Sequence, residues 1–94
     1  MKLVNADRIA AFIKKHTNAR KPLERWIGEM EQATLVTTLD IRARWADASF
    51  LPNNHVVFNI KGNHYRLYVE VVYIEQTVYV LRIGTHKEYD TWNL

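Results

Sequence analysis

Arg66, His86 and Tyr89 are the side chains of this 94-residue chain whose types and spacing best match a chemical task. An imidazole is the group best suited to exchanging a proton near neutral pH. A phenol beside an arginine can give a proton, or take one if its own is loosened. A guanidinium holds a phosphate through two parallel bonds and keeps its charge at any working pH. Cleavage of RNA at a ribose 2′-OH needs these three services. The hydroxyl must lose its proton, the pentavalent phosphorane needs a counter-charge, and the leaving 5′-oxygen must be protonated.

The elements that must position these groups follow from periodicity. From His55 the apolar pattern has period two: Val56, Phe58 and Ile60 alternate with Val57, Asn59 and Lys61. Gly62-Asn63 falls where a tight hairpin needs positive φ. Tyr65, Leu67, Val69, Val71 and Tyr73 then share one face, and Arg66, Tyr68, Glu70 and Val72 the other. A loop at Glu75-Gln76 leads to Tyr79, Leu81 and Ile83, opposed by Val78, Val80 and Arg82. The spacing predicts a three-stranded antiparallel meander. Its polar face carries Asn59, Lys61, Arg66, Tyr68 and Arg82, with His86 and Tyr89 just past its last strand. Such a face suits RNA, because an aromatic ring stacks on an unpaired base for roughly 1–3 kcal/mol.

The first half reads as helical. Asn5 or Asp7 is placed to cap a helix carrying Ile9, Phe12 and Ile13, with Lys14 and Lys15 outward. Thr17-Asn18 offers the next cap, and Pro22 suits the first turn of a second helix striped by Leu23, Trp26, Ile27 and Met30. The short link between them predicts an antiparallel helical hairpin. Thr37 or Thr38 starts a short helical piece bearing Ile41 and Trp45, Pro52-Asn53-Asn54 is a turn, and Lys2-Leu3-Val4 could be an edge strand. The expectation is one α+β domain over residues 1–94, with the hairpin on one face of a small antiparallel sheet and the other face bare.

Composition sets limits. With no cysteine, disulfides and thiolate metal sites are excluded. The four histidines lack metal-ligand spacing, and no phosphate-loop or dinucleotide signature occurs, so neither metal nor cofactor is expected. The absence of a long apolar run or a secretory core predicts a cytoplasmic protein that does not contact membrane. Residues 1–49 hold nine Lys and Arg against six Asp and Glu, while residues 50–94 hold four of each. That mild excess fits an anionic partner, nucleic acid or acidic protein. Plain structural readings stand beside these: Lys61-Gly62-Asn63 as hairpin chemistry, Tyr68 as a cross-strand packing residue, and His86 as an exposed histidine near a terminus. From residues alone the reading is an RNA-binding sheet, with catalysis open.

The stretch Val57–Leu67 (VFNIKGNHYRL) and the tail Gly84–Asp90 (GTHKEYD) closely resemble the HigB-type toxins of the RelE/ParE superfamily. The resemblance runs in order through Trp26, Asp40-Ile41-Arg42, the meander and the tail. It implies a RelE-like fold and an endoribonuclease, the toxin of a type II toxin–antitoxin pair, cutting translated mRNA in the ribosomal A site. It implies Arg66, His86 and Tyr89 as the catalytic set, with Lys61, Asn63 and Lys87 in its motifs as RNA contacts; Asn59, Tyr68 and Arg82 are RNA contacts by strand phase. The implied partners are mRNA, the ribosome and a HigA-like helix-turn-helix antitoxin, with operator DNA reached only through the antitoxin complex. Related proteins on this fold poison gyrase or only bind protein, which are the competing expectations. One departure is the missing Pro-containing turn near Ala46-Asp47-Ala48.

Overall fold

The computed structural model describes all 94 residues as a mixed α+β fold of four helices and a five-stranded sheet. In chain order these are β1 (Lys2–Val4), α1 (Asp7–Lys15), a 3-10 turn (Thr17–Ala19), α2 (Arg20–Gln32), α3 (Thr38–Arg44), β2 (Ser49–Leu51), β3 (His55–Ile60), β4 (Tyr65–Val72), a 3-10 turn (Tyr73–Glu75), β5 (Thr77–Thr85) and α4 (His86–Tyr89). The strands run β1-β5-β4-β3-β2 across the sheet, with β1 parallel to β5 and every other neighbour antiparallel. The meander is present, flanked by two short edge strands. Sequence suggested β1 and missed β2, because three residues, Ser49-Phe50-Leu51, are too few to show a period.

Apolar stripes on the helices meet one face of the sheet. Ile9 and Ile13 of α1, Leu23, Trp26 and Met30 of α2 and Ile41 of α3 are buried with Val56, Phe58 and Ile60 of β3, Leu67, Val69 and Val71 of β4, and Val78 and Val80 of β5. Phe58 is held edge-on between Trp26 and Trp45, at ring-centroid distances of 5.4 and 5.3 Å. The two long helices each touch the 3-10 turn that joins them, and α1 lies along β5.

The caps predicted for α1 and α2 are not used, whereas Thr37 is the N-cap of α3. Asn5 adopts φ 66° and Ala6 precedes α1, leaving Asp7 inside the first turn, where its charge favours the exposed N–H groups. Asn18 accepts a hydrogen bond from the Tyr65 hydroxyl instead of capping α2. Pro22 does sit in the first turn of α2. Ahead of α3, the Asp40 carboxylate accepts the Val36 and Thr37 N–H groups at 2.7 and 3.1 Å. These bonds hold its pKa below the usual 3.8.

Strand phase departs from simple alternation at one place. Tyr68 pairs with Arg82 and Val69 with Val80, so Leu81 is the extra residue of a β-bulge. Its carbonyl is taken by the Arg8 guanidinium at 2.6 Å. The bulge turns Val78 and Val80 into the core and still leaves Arg82 on the opposite face, with Ile83 packed against the core. Alternation had placed Val78 and Val80 beside Arg82. A bulge shifts phase by one residue and leaves no reliable mark in apolar periodicity.

Candidate active site

The face of the sheet away from α1–α3 carries Val57 and Asn59 on β3, Arg66 and Tyr68 on β4 and Arg82 on β5, fixed by the pairs Asn59↔Arg66, Val57↔Tyr68 and Tyr68↔Arg82. It is not bare. Val57 and Tyr68 are buried, and Arg66 is only 8% exposed. The cover is the C-terminal segment. The Trp92 ring lies 6.4 Å from Tyr68 and 5.5 Å from Tyr89, with Arg82 over it at 5.6 Å. Gly84, opposite Arg66, makes the approach possible: a Cβ there would lie 2.9 Å from the Trp92 ring. Nothing in the strand pattern indicated this lid. The available signal was Trp92 three residues after Tyr89, a spacing that brings both rings to one side of a helical turn.

The covering segment is anchored at its start. Thr85 and Glu88 form a capping box, with Thr85 N–H to Glu88 Oε1 at 2.8 Å and Glu88 N–H to Thr85 Oγ1 at 3.1 Å. The His86 N–H donates to the His64 carbonyl at 2.9 Å, tying α4 to the β3–β4 turn. That turn takes positive φ at Lys61 and Gly62, one residue earlier than predicted. Asn63 is thereby free to serve Arg66, whose Nη2 donates to Asn63 Oδ1 at 3.0 Å. Nη1 donates to the carbonyls of Asn63 and Tyr65 at 3.1 and 3.3 Å. Every one of these acceptors is neutral, and no carboxylate lies within ion-pair distance of the guanidinium. The guanidinium carbon lies over the Tyr89 ring, 5.4 Å from its centre. A nearly buried, uncompensated positive charge is a strong attractor for an anion.

Beside this pair a cleft of about 490 Å³ is lined by His16, Asn63, His64, Tyr65, Thr85, His86 and Lys87. His86 Nδ1 is 3.3 Å from Asp90 Oδ2. Asn63 belongs both to the cleft and to the Arg66 network, so the two parts are contiguous. His86 and Lys87 therefore line the cleft, while Arg66 and Tyr89 stand together outside its lining and Arg66 joins it through Asn63. His16 and His64 lack metal-ligand spacing, yet the structure brings both to the cleft that His86 lines. The hint was the position of His64 directly after Asn63 in the hairpin motif.

Four predicted contacts lie elsewhere. Lys61 lines a separate cleft of about 260 Å³ with Arg25, Trp26 and Trp45, on the helix side of the turn. Asn59 borders the same cleft and donates its amide to Asp47 Oδ2 at 3.1 Å. Tyr68 and Arg82 line a third, of about 470 Å³, with His55 and the C-terminal residues Asn93 and Leu94. Tyr68 hydrogen-bonds His55 through its hydroxyl. So the predicted contacts are spread over separate hollows around the central stack rather than gathered on one basic surface.

No helix is long and apolar enough to cross a membrane. A search of curated proteins gave no match. Residues 19–92 match the model of a family described as HigB_toxin, the RelE-like toxic component of a toxin–antitoxin system. This span takes in α2, the meander, α4 and Trp92, and with them every residue of the Arg66 network. The chain thus belongs to the HigB toxin family.

Proposed function

We propose that this toxin is an endoribonuclease that cuts translated mRNA in the ribosomal A site, with the ribose 2′-OH as nucleophile. The observation that carries the reading is Arg66: a guanidinium 8% exposed, hydrogen-bonded only to neutral acceptors and linked through Asn63 to a histidine-lined cleft. In this scheme Arg66 stabilises the phosphorane. His86 transfers a proton, and the Tyr89 hydroxyl, which bonds no protein group, donates toward the same phosphate. Lys87 and Asn63 line the cleft where the adjoining backbone would run. Tyr68 and Arg82 contact a nucleotide further along the strand, beyond Trp92. Asn59 and Lys61 contact RNA outside the reacting centre. The reaction draws on no cofactor and takes place in the cytoplasm, where the ribosome translates.

A toxin of such a system has an antitoxin partner. We assign it to a HigA-like helix-turn-helix protein, with operator DNA bound only through the complex. Induced expression without antitoxin should arrest growth and create new mRNA ends inside codons. Arg66→Ala and His86→Ala should abolish both effects while remaining folded. Growth arrest with intact mRNA and an SOS response would instead mark a gyrase poison on the same fold. Harmless expression would mark a protein-binding module.

A further inference from the structure

We infer that His64 is a further catalytic residue, the proton-transfer partner of His86 in the same cleft; this rests on the endonuclease reading above. His64 closes the β3–β4 turn and His86 opens α4, and the bond from the His86 N–H to the His64 carbonyl holds the two residues together. Both side chains line the same cleft. The Nδ1 of His64 lies 2.9 Å from the Lys61 carbonyl. A carbonyl only accepts, so the ring proton resides on Nδ1 and the neutral ring keeps its lone pair on Nε2. No protein group bonds that Nε2. The Nδ1 of His86 is oriented in the same way by a different partner, the Asp90 carboxylate, and its Nε2 is likewise unbonded.

Two imidazoles, each steadied through Nδ1 and each with a free Nε2, supply what a 2′-OH attack requires. His64 Nε2 takes the 2′-OH proton as O2′ forms its bond to phosphorus. The P–O5′ bond breaks, its electron pair stays on O5′, and the proton on His86 passes to that oxygen. The products are a 2′,3′-cyclic phosphate and a 5′-hydroxyl, and atoms and charge balance with no further reactant. Tyr89 keeps its place against Arg66, on the phosphate rather than in the proton relay. The charged and titratable groups around His64 are Lys61 in its own turn, Tyr65 on β4, His16 on α1, and His86 and Lys87 on α4. Asp90 reaches the cleft only through His86.

The test is single-turnover cleavage by the purified full-length toxin on mRNA-programmed ribosomes, measured across pH for the parent, His64→Ala and His64→Gln. The expected parent profile is a bell, one limb for each imidazole. His64→Ala should slow cleavage about 10²–10⁴-fold and lose one limb, and free imidazole in the buffer should restore part of the rate. His64→Gln keeps an N–H donor for the turn yet cannot take a proton, so it should be equally slow. Either variant cleaving as fast as the parent overturns the assignment. So does a slow variant with an intact bell and no rescue, since that is the mark of a purely structural role. A parent protein that leaves ribosome-bound mRNA intact overturns the endonuclease reading itself, and this inference with it.

Discussion

Arg66 lies nearly buried on the sheet face away from the helices, its guanidinium held by Asn63 and the Tyr65 carbonyl. Counting strand phase puts it opposite the helices, and the pairing with Asn59 and Gly84 does the same. Burial beneath the tail was not foreseeable, because local periodicity carries no information about a segment arriving from eighteen or more residues away. The consequence is a preorganised charge, held by Asn63 before any RNA arrives. Arg66→Ala should lower the cleavage rate about 10²–10³-fold. The fold should lose only about 1–2 kcal/mol, since two of the three bonds lost go to the exposed Asn63. Arg66→Lys should rescue poorly, because an ammonium cannot span the Asn63 oxygens and a phosphate together. Rate measurements and thermal melts on the same preparations separate the two effects. Tyr89→Phe removes a hydroxyl but keeps the ring under Arg66, so its loss should fall short of that for His86→Ala.

Among the elements, the tail α4 through Trp92 was only half legible. Thr85 and Glu88 spell a capping box, so a helical turn there was readable, while the docking of Trp92 on Gly84 was not. Gly84→Ala places a methyl group against the indole, and Glu88 Cβ at 3.2 Å closes the other side. We expect this variant to stay folded, release Trp92, and show red-shifted tryptophan emission with reduced cleavage. α3 gives a pH test. Its Asp40 is held below 3.8 by two backbone N–H groups, so the stabilisation it brings is complete above the unfolded carboxyl pKa. It is lost as pH falls through the depressed folded value. The melting-temperature gap between the parent and Asp40→Ala, present at neutral pH, should therefore close as pH drops below 3.8. The helical-hairpin expectation reached further than the contacts do, for α1 and α2 share the joining 3-10 turn more than a seam of their own.

Over the whole molecule, the mixed α+β class, the meander and the core-facing stripes were readable because burial on one side forces a period on the chain. The short strand β2 and the bulge at Leu81 were not, being too brief or too irregular to impose one. The core they enclose has little redundancy. Phe58→Ala would leave Trp26 and Trp45 without their shared ring and cost about 3–5 kcal/mol, against about 5–15 kcal/mol for a domain of this kind. Chemical denaturation should show the variant close to unfolded, whereas the site variants above keep the parental transition. That separation matters, since loss of toxicity is evidence for a site only in a protein that folds. The central claim is that a buried guanidinium and a histidine-lined cleft exist to break RNA. Its most direct test is to add purified toxin to ribosomes stalled with a defined codon in the A site and map the mRNA ends by primer extension. One new end within that codon is expected, absent with Arg66→Ala. Full-length message at saturating toxin, with translation nonetheless arrested in cells, would contradict it.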